Sequence, residues 1–207
     1  MARASDEELL LGWRDGDSGA GEALFDRYYG PVSRFFANKV QRERDDLVQM
    51  TFSACLEKVD TLRDAASFRS FLFGIARFEL LHHYRRNNRQ GVPLDTERDS
   101  VCDLAPSPSL VVAKRKEQRL LLEALRRIPL QLQIVLELSY WEHLTSREVA
   151  EIIEVPVGTV KSRLRRAREN LEAAMRELSD SATLLASTTA NLDAWAADLK
   201  QLVHRPA

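Results

Sequence analysis

Lys161, Arg163, Arg165, Arg166 and Arg168 put five positive charges within eight residues, with no acid among them. Thr159 and Ser162 add short hydroxyls to the same stretch. Groups of this kind at this density pair with phosphate oxygens, and a bidentate arginine also reads a base edge. An ordinary solvated helix face would carry acids three or four residues away. Here Glu169 and Glu172 come only later.

Two helices are needed to present these residues. Val160, Leu164, Ala167, Leu171 and Met175 fall at i, i+4, i+7, i+11 and i+15, one apolar stripe on an otherwise polar helix. Pro156 has no N–H to donate and suits the start of that helix. Before it, Thr145 stands three residues ahead of Glu148, the spacing of a capping box, and Val149, Ile152 and Ile153 give a buried face. The pair reads as a helix-turn-helix whose second helix enters the DNA major groove. Glu154 stands where such turns favour glycine, and a left-handed conformation there should cost about 1 kcal/mol.

The first half of the chain reads as four helices: Glu7–Arg14, about 18–40, about 45–59 and about 66–88. Ala23, Leu24, Tyr28, Val32, Phe35 and Phe36 are the expected inward residues of the second, which Gly30-Pro31 should kink or break. The third has an inward face of Val48, Phe52, Cys55 and Val59. Asp46, Gln49, Ser53 and Glu57 line its other side. The fourth is apolar nearly all round through Phe68, Phe71, Leu72, Phe73, Ile75, Phe78, Leu80 and Leu81, so its first half should be core. Its end turns aromatic and basic at His82, His83, Tyr84, Arg85, Arg86 and Arg89. That suits single-stranded DNA, and it also suits a helix C-terminus complementing the macrodipole.

Residues 90–109 carry three prolines, one glycine and four acids against one arginine, and they read as an extended acidic linker. Helices resume near Leu110, run to Pro129, and continue through Leu130, Ile134, Leu138 and Trp141 into the helix-turn-helix. Beyond Leu178, the residues Leu192, Trp195, Leu199 and Leu202 form a further amphipathic stripe, expected to dock as a short helix over about 183–203.

The 207 residues have a net charge of −1, which hides a basic patch beside an acidic middle. Such a chain is not a general coat for nucleic acid. No apolar run is long enough to span a bilayer, and the acidic N-terminus has no signal-peptide layout, so a cytoplasmic protein without membrane insertion is expected. Cys55 and Cys102 make neither a disulfide framework nor, with the four histidines, a metal site. There is no phosphate-cradling loop and no nucleophile elbow. No metal, no cofactor and no catalytic residue are expected, and the chain does not read as an enzyme.

Taken together, these segments resemble a bacterial sigma factor of the extracytoplasmic-function group. VPVGTVKSRLRRAR is similar to that family's promoter-reading helix, and LLEALRRIPLQLQIVLELSYWEHLTSREVAEII to the helices before it. DDLVQMTF resembles its polymerase-clamp helix, and SFRSFLFGIARFELLHHYRR the helix that meets the melted −10 element. The resemblance covers residues 6–178. It implies an all-α fold of two small helical domains joined by a flexible acidic linker, the second a helix-turn-helix domain; the C-terminal amphipathic helix read from the residue spacing lies outside the family's pattern. The expected division is 1–89 for core polymerase and the −10 element, 90–109 for the linker, 110–178 for the −35 element and 179–207 for the extension.

By the same resemblance, Thr159, Lys161, Ser162, Arg163, Arg165, Arg166 and Arg168 would meet the −35 element. Arg77, Tyr84, Arg85, Arg86 and Arg89 would meet the −10 strand, with a flipped base held by the loop 60–65. Asp46, Gln49 and Ser53 would meet the clamp of core RNA polymerase. Promoter DNA and core polymerase are the implied partners, with an anti-sigma factor as a further one. The family commonly has Trp at Phe71 and Asn at Phe78, so the resemblance does not fix the −10 preference. The alternatives are a stand-alone helix-turn-helix regulator, which leaves the clamp-like helix unexplained, and a polymerase-binding adaptor, which leaves the basic helix unexplained.

Overall fold

The computed structural model describes residues 4–40, 42–87, 93–104 and 116–179. Helix α1 spans Asp6–Arg14, α2 Ser18–Ala37, α3 Arg44–Lys58 and α4 Phe68–Asn87. Then follow α5 Val101–Leu104, α6 Lys116–Arg127, α7 Leu130–Tyr140, α8 Ser146–Ile153 and α9 Val157–Leu178. Among the described residues there is no β-sheet; one isolated bridge pairs Ser100 with Pro129. The start of the helix expected near Leu110, Arg89 and the stripe from Leu192 to Leu202 lie outside the described residues.

Local chemistry sets the helix starts. Ser5 and Glu8 form a reciprocal capping box on α1, and Asp17 accepts from the N–H groups of Gly19 and Ala20 at the start of α2. The turn between them passes through Gly16 at φ 96°. Gly21 lets the two helices close: a Cβ there would lie 2.8 Å from the Trp13 ring. Helix α2 does not break at Gly30-Pro31. It is helical throughout, because Tyr28, Val32, Phe35 and Phe36 are buried on both sides of the proline and packing outweighs one lost hydrogen bond. Ala23, expected inward, is exposed, since Leu24 and Tyr28 set the buried direction.

In the first half, α2 packs on α1 and α3, and α3 on α4. In the second half, α9 packs on α6, α7 and α8. The two halves also pack on each other, chiefly α4 on α8. One continuous apolar cluster runs from Phe36, Leu72, Ile75 and Leu80 into Leu130, Ile134, Val135, Leu138 and Ile152. A second, from Leu121, Leu125, Leu136, Trp141, Leu171 and Met175, belongs to the second half alone.

Charges cross the junction inside the protein. Arg34 of α2 binds Glu142 through two bonds of 3.1 Å, and both side chains are buried. Lys39 pairs with Glu137 of α7, which also accepts from Gln133 at 2.7 Å. Burial pushes the Lys39 ammonium down and the Glu137 carboxyl up, and each partner opposes the other's shift. Asn38 donates to the Leu122 carbonyl at 3.3 Å, and Arg126 donates to the Asn38 carbonyl at 3.2 Å.

The linker segment 93–104 is not extended. Val101 is fully buried, Leu94 and Leu104 pack on the main cluster, and residues 101–104 form α5. The N–H groups of Leu130 and Gln131 donate to the carbonyls of Asp99 and Thr96. This leaves the first turn of α7, which has no side-chain cap, with partners for its free donors.

Candidate nucleic-acid interface

Helix α8 starts at the expected capping box. Glu148 N–H donates to Thr145 Oγ1 at 3.2 Å, and Thr145 N–H donates to Glu148 Oε2 at 2.7 Å. It ends at Glu154, which adopts φ 56°, ψ 49°, the left-handed conformation anticipated at that position. The Val155 N–H then reaches back to the Ala150 carbonyl at 3.1 Å, and Pro156 caps the start of α9. Val160, Ala167, Leu171 and Met175 are buried and Leu164 half-buried, so a single stripe fixes α9 and its remaining faces are free to carry charge.

Lys161, Arg165, Arg166 and Arg168 are exposed and Thr159 is half-buried; Ser162 is exposed too, its hydroxyl donating to the Thr159 carbonyl at 2.9 Å. Arg168 binds the Tyr140 hydroxyl and lies 5.3 Å from that ring's centre. Arg165 has Glu169 at 3.9 Å. Arg163 differs from these: only 13% of its side chain is exposed, and it pairs with Glu97 of the linker at 3.0 Å. The Gln131 amide, oriented to satisfy both, accepts from Arg163 at 2.7 Å and donates to Glu97 at 3.2 Å.

On α3, Asp46, Gln49 and Ser53 fall on the side away from the core, with Met50 beside them, while Leu47, Val48, Thr51 and Cys55 face inward. Burial pushes the Cys55 thiol up to about 12, so it stays an unreactive thiol. On α4, Arg85 and Arg86 are exposed and Arg77 is half-buried. Burial pushes the Arg77 guanidinium below its ordinary value, Glu154 opposes this, and Arg163 and Arg85 add like-charge repulsion.

Two aromatic residues fall opposite to expectation. Tyr84 is buried, and its hydroxyl donates to the Lys39 carbonyl at 2.6 Å, so it braces α4 against the end of α2 and does not join the exposed basic surface. Phe78, expected in the core, is 55% exposed. It stacks on His82 at 6.2 Å and 5°, and the Lys58 ammonium stands 5.8 Å from its ring centre. A local signal exists: its neighbours at i−4 and i+4 are Gly74 and His82, which put Phe78 on the polar side. Phe78 lines a cavity of about 430 Å³ with Lys58, Phe71 and Arg77 on one wall and Glu151 and Glu154 of α8 on the other.

Both surfaces fall within segments that match known families. Residues 24–90 match the family model of sigma-70 region 2, and residues 118–171 match that of sigma-70, region 4. The chain is 32% identical over 130 residues to the RNA polymerase sigma factor HrpL of Pseudomonas syringae pv. syringae, covering 62% of this chain and 71% of that protein. The chain belongs to the extracytoplasmic-function sigma factors.

Longer matches accompany this one. The ECF RNA polymerase sigma-E factor of Haemophilus influenzae is 26% identical over 183 residues, 84% of this sigma factor and 97% of that one. The sigma-H factor of Pseudomonas aeruginosa is 24% identical over 190 residues, 86% and 97% of the two chains. The fold is similar to the sigma factor RpoE of Bartonella quintana, solved with the anti-sigma factor NepR. The TM-score is 0.57 at 22% identity, covering 77% of this sigma factor and 97% of that chain. The region 2 match takes in α3 and α4, and the region 4 match takes in α7, α8 and the basic part of α9.

Proposed function

We propose that this sigma factor directs core RNA polymerase to selected promoters and assists their melting, with the polymerase supplying all the bond-making chemistry. The observation that carries this is the pairing, in one chain, of a basic helix held by one stripe with a separate aromatic and basic helix. Lys161, Arg163, Arg165, Arg166 and Arg168, with Thr159 and Ser162, meet the duplex −35 element; Arg77, Arg85, Arg86 and Arg89 meet the opened −10 strand. Asp46, Gln49 and Ser53 hold the polymerase clamp, and the division of labour follows residues 1–89 and 110–178. The chain acts in the cytoplasm, as a transcription initiation factor without a catalytic site of its own. No helix among the described residues is long and apolar enough to cross a membrane. By likeness to the NepR-bound relative, a sequestering anti-sigma factor is a further partner.

Run-off transcription with purified core polymerase and a genomic promoter library tests the assignment. A discrete set of start sites that depends on this chain is expected. Transcription no more selective than with core enzyme alone would sink it.

A further inference from the structure

A helix of nine residues is marginal by itself, yet α1 is fixed along its whole length. At its start Asp6 binds Arg27 and the Tyr28 hydroxyl of α2. Leu10 is fully buried, and the Trp13 ring lies against Gly21 and meets the Phe25 ring edge-on at 5.2 Å. None of these side chains belongs to the promoter-facing or clamp-facing surfaces. What the helix delivers is its last residue, Arg14.

Arg14 Nη2 donates to two backbone carbonyls, those of Val59 at 2.6 Å and of Leu62, 45 and 48 residues along the chain. Both carbonyls belong to the loop that joins α3 to α4. The loop holds two short turns, Val59–Thr61 and Ala65–Ser67. Each is closed by its own side chains. Thr61 Oγ1 donates to the Lys58 carbonyl at 2.6 Å. Asp64 accepts from the Ala66 N–H at 3.1 Å and from the Ser67 hydroxyl at 2.8 Å. Leu62 lies between the two turns, so a bridge from Val59 to Leu62 sets the direction in which the chain leaves the first. A charge-assisted bond is stronger than a neutral one, and one nitrogen making two fixes the carbonyls relative to each other.

The side chains of Asp60, Thr61, Arg63 and Asp64 stay exposed. Leu62 and Ser67 line the cavity that Phe71, Arg77 and Phe78 of α4 also line. The loop therefore continues the α4 surface assigned to the opened −10 strand.

We propose that Arg14 is a positioning residue for strand capture: from α1, touching no DNA itself, it bridges the Val59 and Leu62 carbonyls and holds the loop 59–67 in the shape that accepts an unpaired base of the −10 strand. The proposal rests on the reading of α4 as the −10 surface. A loop without the bridge populates that shape only part of the time, and apparent affinity for the unpaired strand falls with that fraction. The duplex −35 element and the polymerase clamp use α9 and α3, so Arg14 leaves both alone.

Two measurements test it. Amide hydrogen exchange on the free full-length chain reads the bridge without DNA or polymerase. The N–H groups of Leu62, Ala66 and Ser67 are bonded within the loop. Arg14→Gln should speed their exchange by about tenfold while α3 and α4 keep their protection. Because a single nitrogen makes both bonds, the ammonium of Arg14→Lys should keep the loop slow. Exchange in Arg14→Gln equal to the wild type overturns the bridge, and so does an Arg14→Lys loop as fast as that of Arg14→Gln. Acceleration spread equally over α3 and α4 also overturns it, because Arg14 would then hold the fold and not the loop.

The second measurement is binding of reconstituted holoenzyme to a promoter recovered by run-off transcription. It is supplied as a duplex ending upstream of the −10 element, and as the same duplex carrying an unpaired −10 strand. Arg14→Gln holoenzyme should bind the duplex as the wild type does and the unpaired form about tenfold more weakly, with Arg14→Lys close to the wild type. Equal affinity of Arg14→Gln and the wild type for the unpaired form overturns the proposal. A wild-type holoenzyme that gains nothing from the unpaired strand brings down the −10 reading of α4 and the loop's use with it. That failure is told apart from failure of the bridge, which exchange decides.

Discussion

Arg163 is set apart from its neighbours on α9 because it is the one that the chain itself engages through Glu97. Arg165 and Arg166 are exposed, so their loss removes a ligand contact and little folding energy. Where one of them meets a phosphate, alanine should lower the salt slope by roughly 0.9. Where one reads a base edge, alanine should cost about 1–3 kcal/mol and relax one promoter position. Alanine at Lys161, Arg163, Arg165 and Arg166 together should abolish −35-dependent transcription, and alanine at the exposed Lys161, Arg165 and Arg166 alone should leave the melting temperature nearly unchanged; intact transcription would remove α9 from the promoter.

Glu154 makes a second residue-scale case. Its left-handed backbone costs about 1 kcal/mol that glycine would avoid. Glu154→Gly should therefore raise the melting temperature by about 2–4 °C. A lower one would show that its charge beside Arg77 contributes more than the strain removes. His83 gives a pH dependence. Burial pushes its pKa down, Glu43 opposes this, and Arg86 adds to it. A depressed folded-state pKa means that the unfolded chain takes the proton more readily. The stability it carries is thus full above about pH 6.5 and is lost as pH falls through the folded value. Asn87 Nδ2, a donor, stands 3.2 Å from His83 Nε2, which fits the neutral ring. Urea midpoints between pH 7.5 and 5.5 should fall further for the wild type than for His83→Gln, and parallel curves would refute the assignment.

At the scale of elements, α3 separates two jobs by helical period. Leu47, Val48, Thr51 and Cys55 hold it in the core, leaving Asp46, Gln49 and Ser53 outside. Asp46→Ala with Gln49→Ala should weaken the complex with core polymerase while leaving helical circular dichroism unchanged; an unaltered affinity would show that another surface anchors the chain. The same period makes most of this fold readable. The capping box, the Pro156 start, the α9 stripe and the polar side of α3 are local patterns, and local patterns are written in neighbouring residues. Tyr84 and the linker escape such a reading for one physical reason: each is decided by a partner distant in sequence. Tyr84 is drawn inward by the Lys39 carbonyl, and 93–104 is held by Val101 and the free donors of α7, whereas the exposure of Phe78 was legible locally in Gly74 and His82. Period alone records how polar a face is and leaves open which neighbour covers it.

At the scale of the molecule, one continuous apolar cluster ties the two halves together, and two buried ion pairs, Arg34–Glu142 and Lys39–Glu137, cross the same junction. These two facts predict how the free chain unfolds. With the halves closed, calorimetry should show one transition whose calorimetric and van't Hoff enthalpies agree. Removing one partner of a buried ion pair in a rigid core typically costs about 3–5 kcal/mol, because the other charge is stranded without water. Here the junction offers an escape: after Arg34→Ala, the halves part and Glu142 is hydrated. The loss is then capped at the free energy of closure, however costly the stranded charge would have been. Arg34→Ala should therefore cost less than that range and split the single transition into two, each half melting by its own core. A full loss in that range with one transition retained would show that the junction never opens under these conditions. Two resolved transitions already in the wild type would show that the shared cluster does not couple the halves.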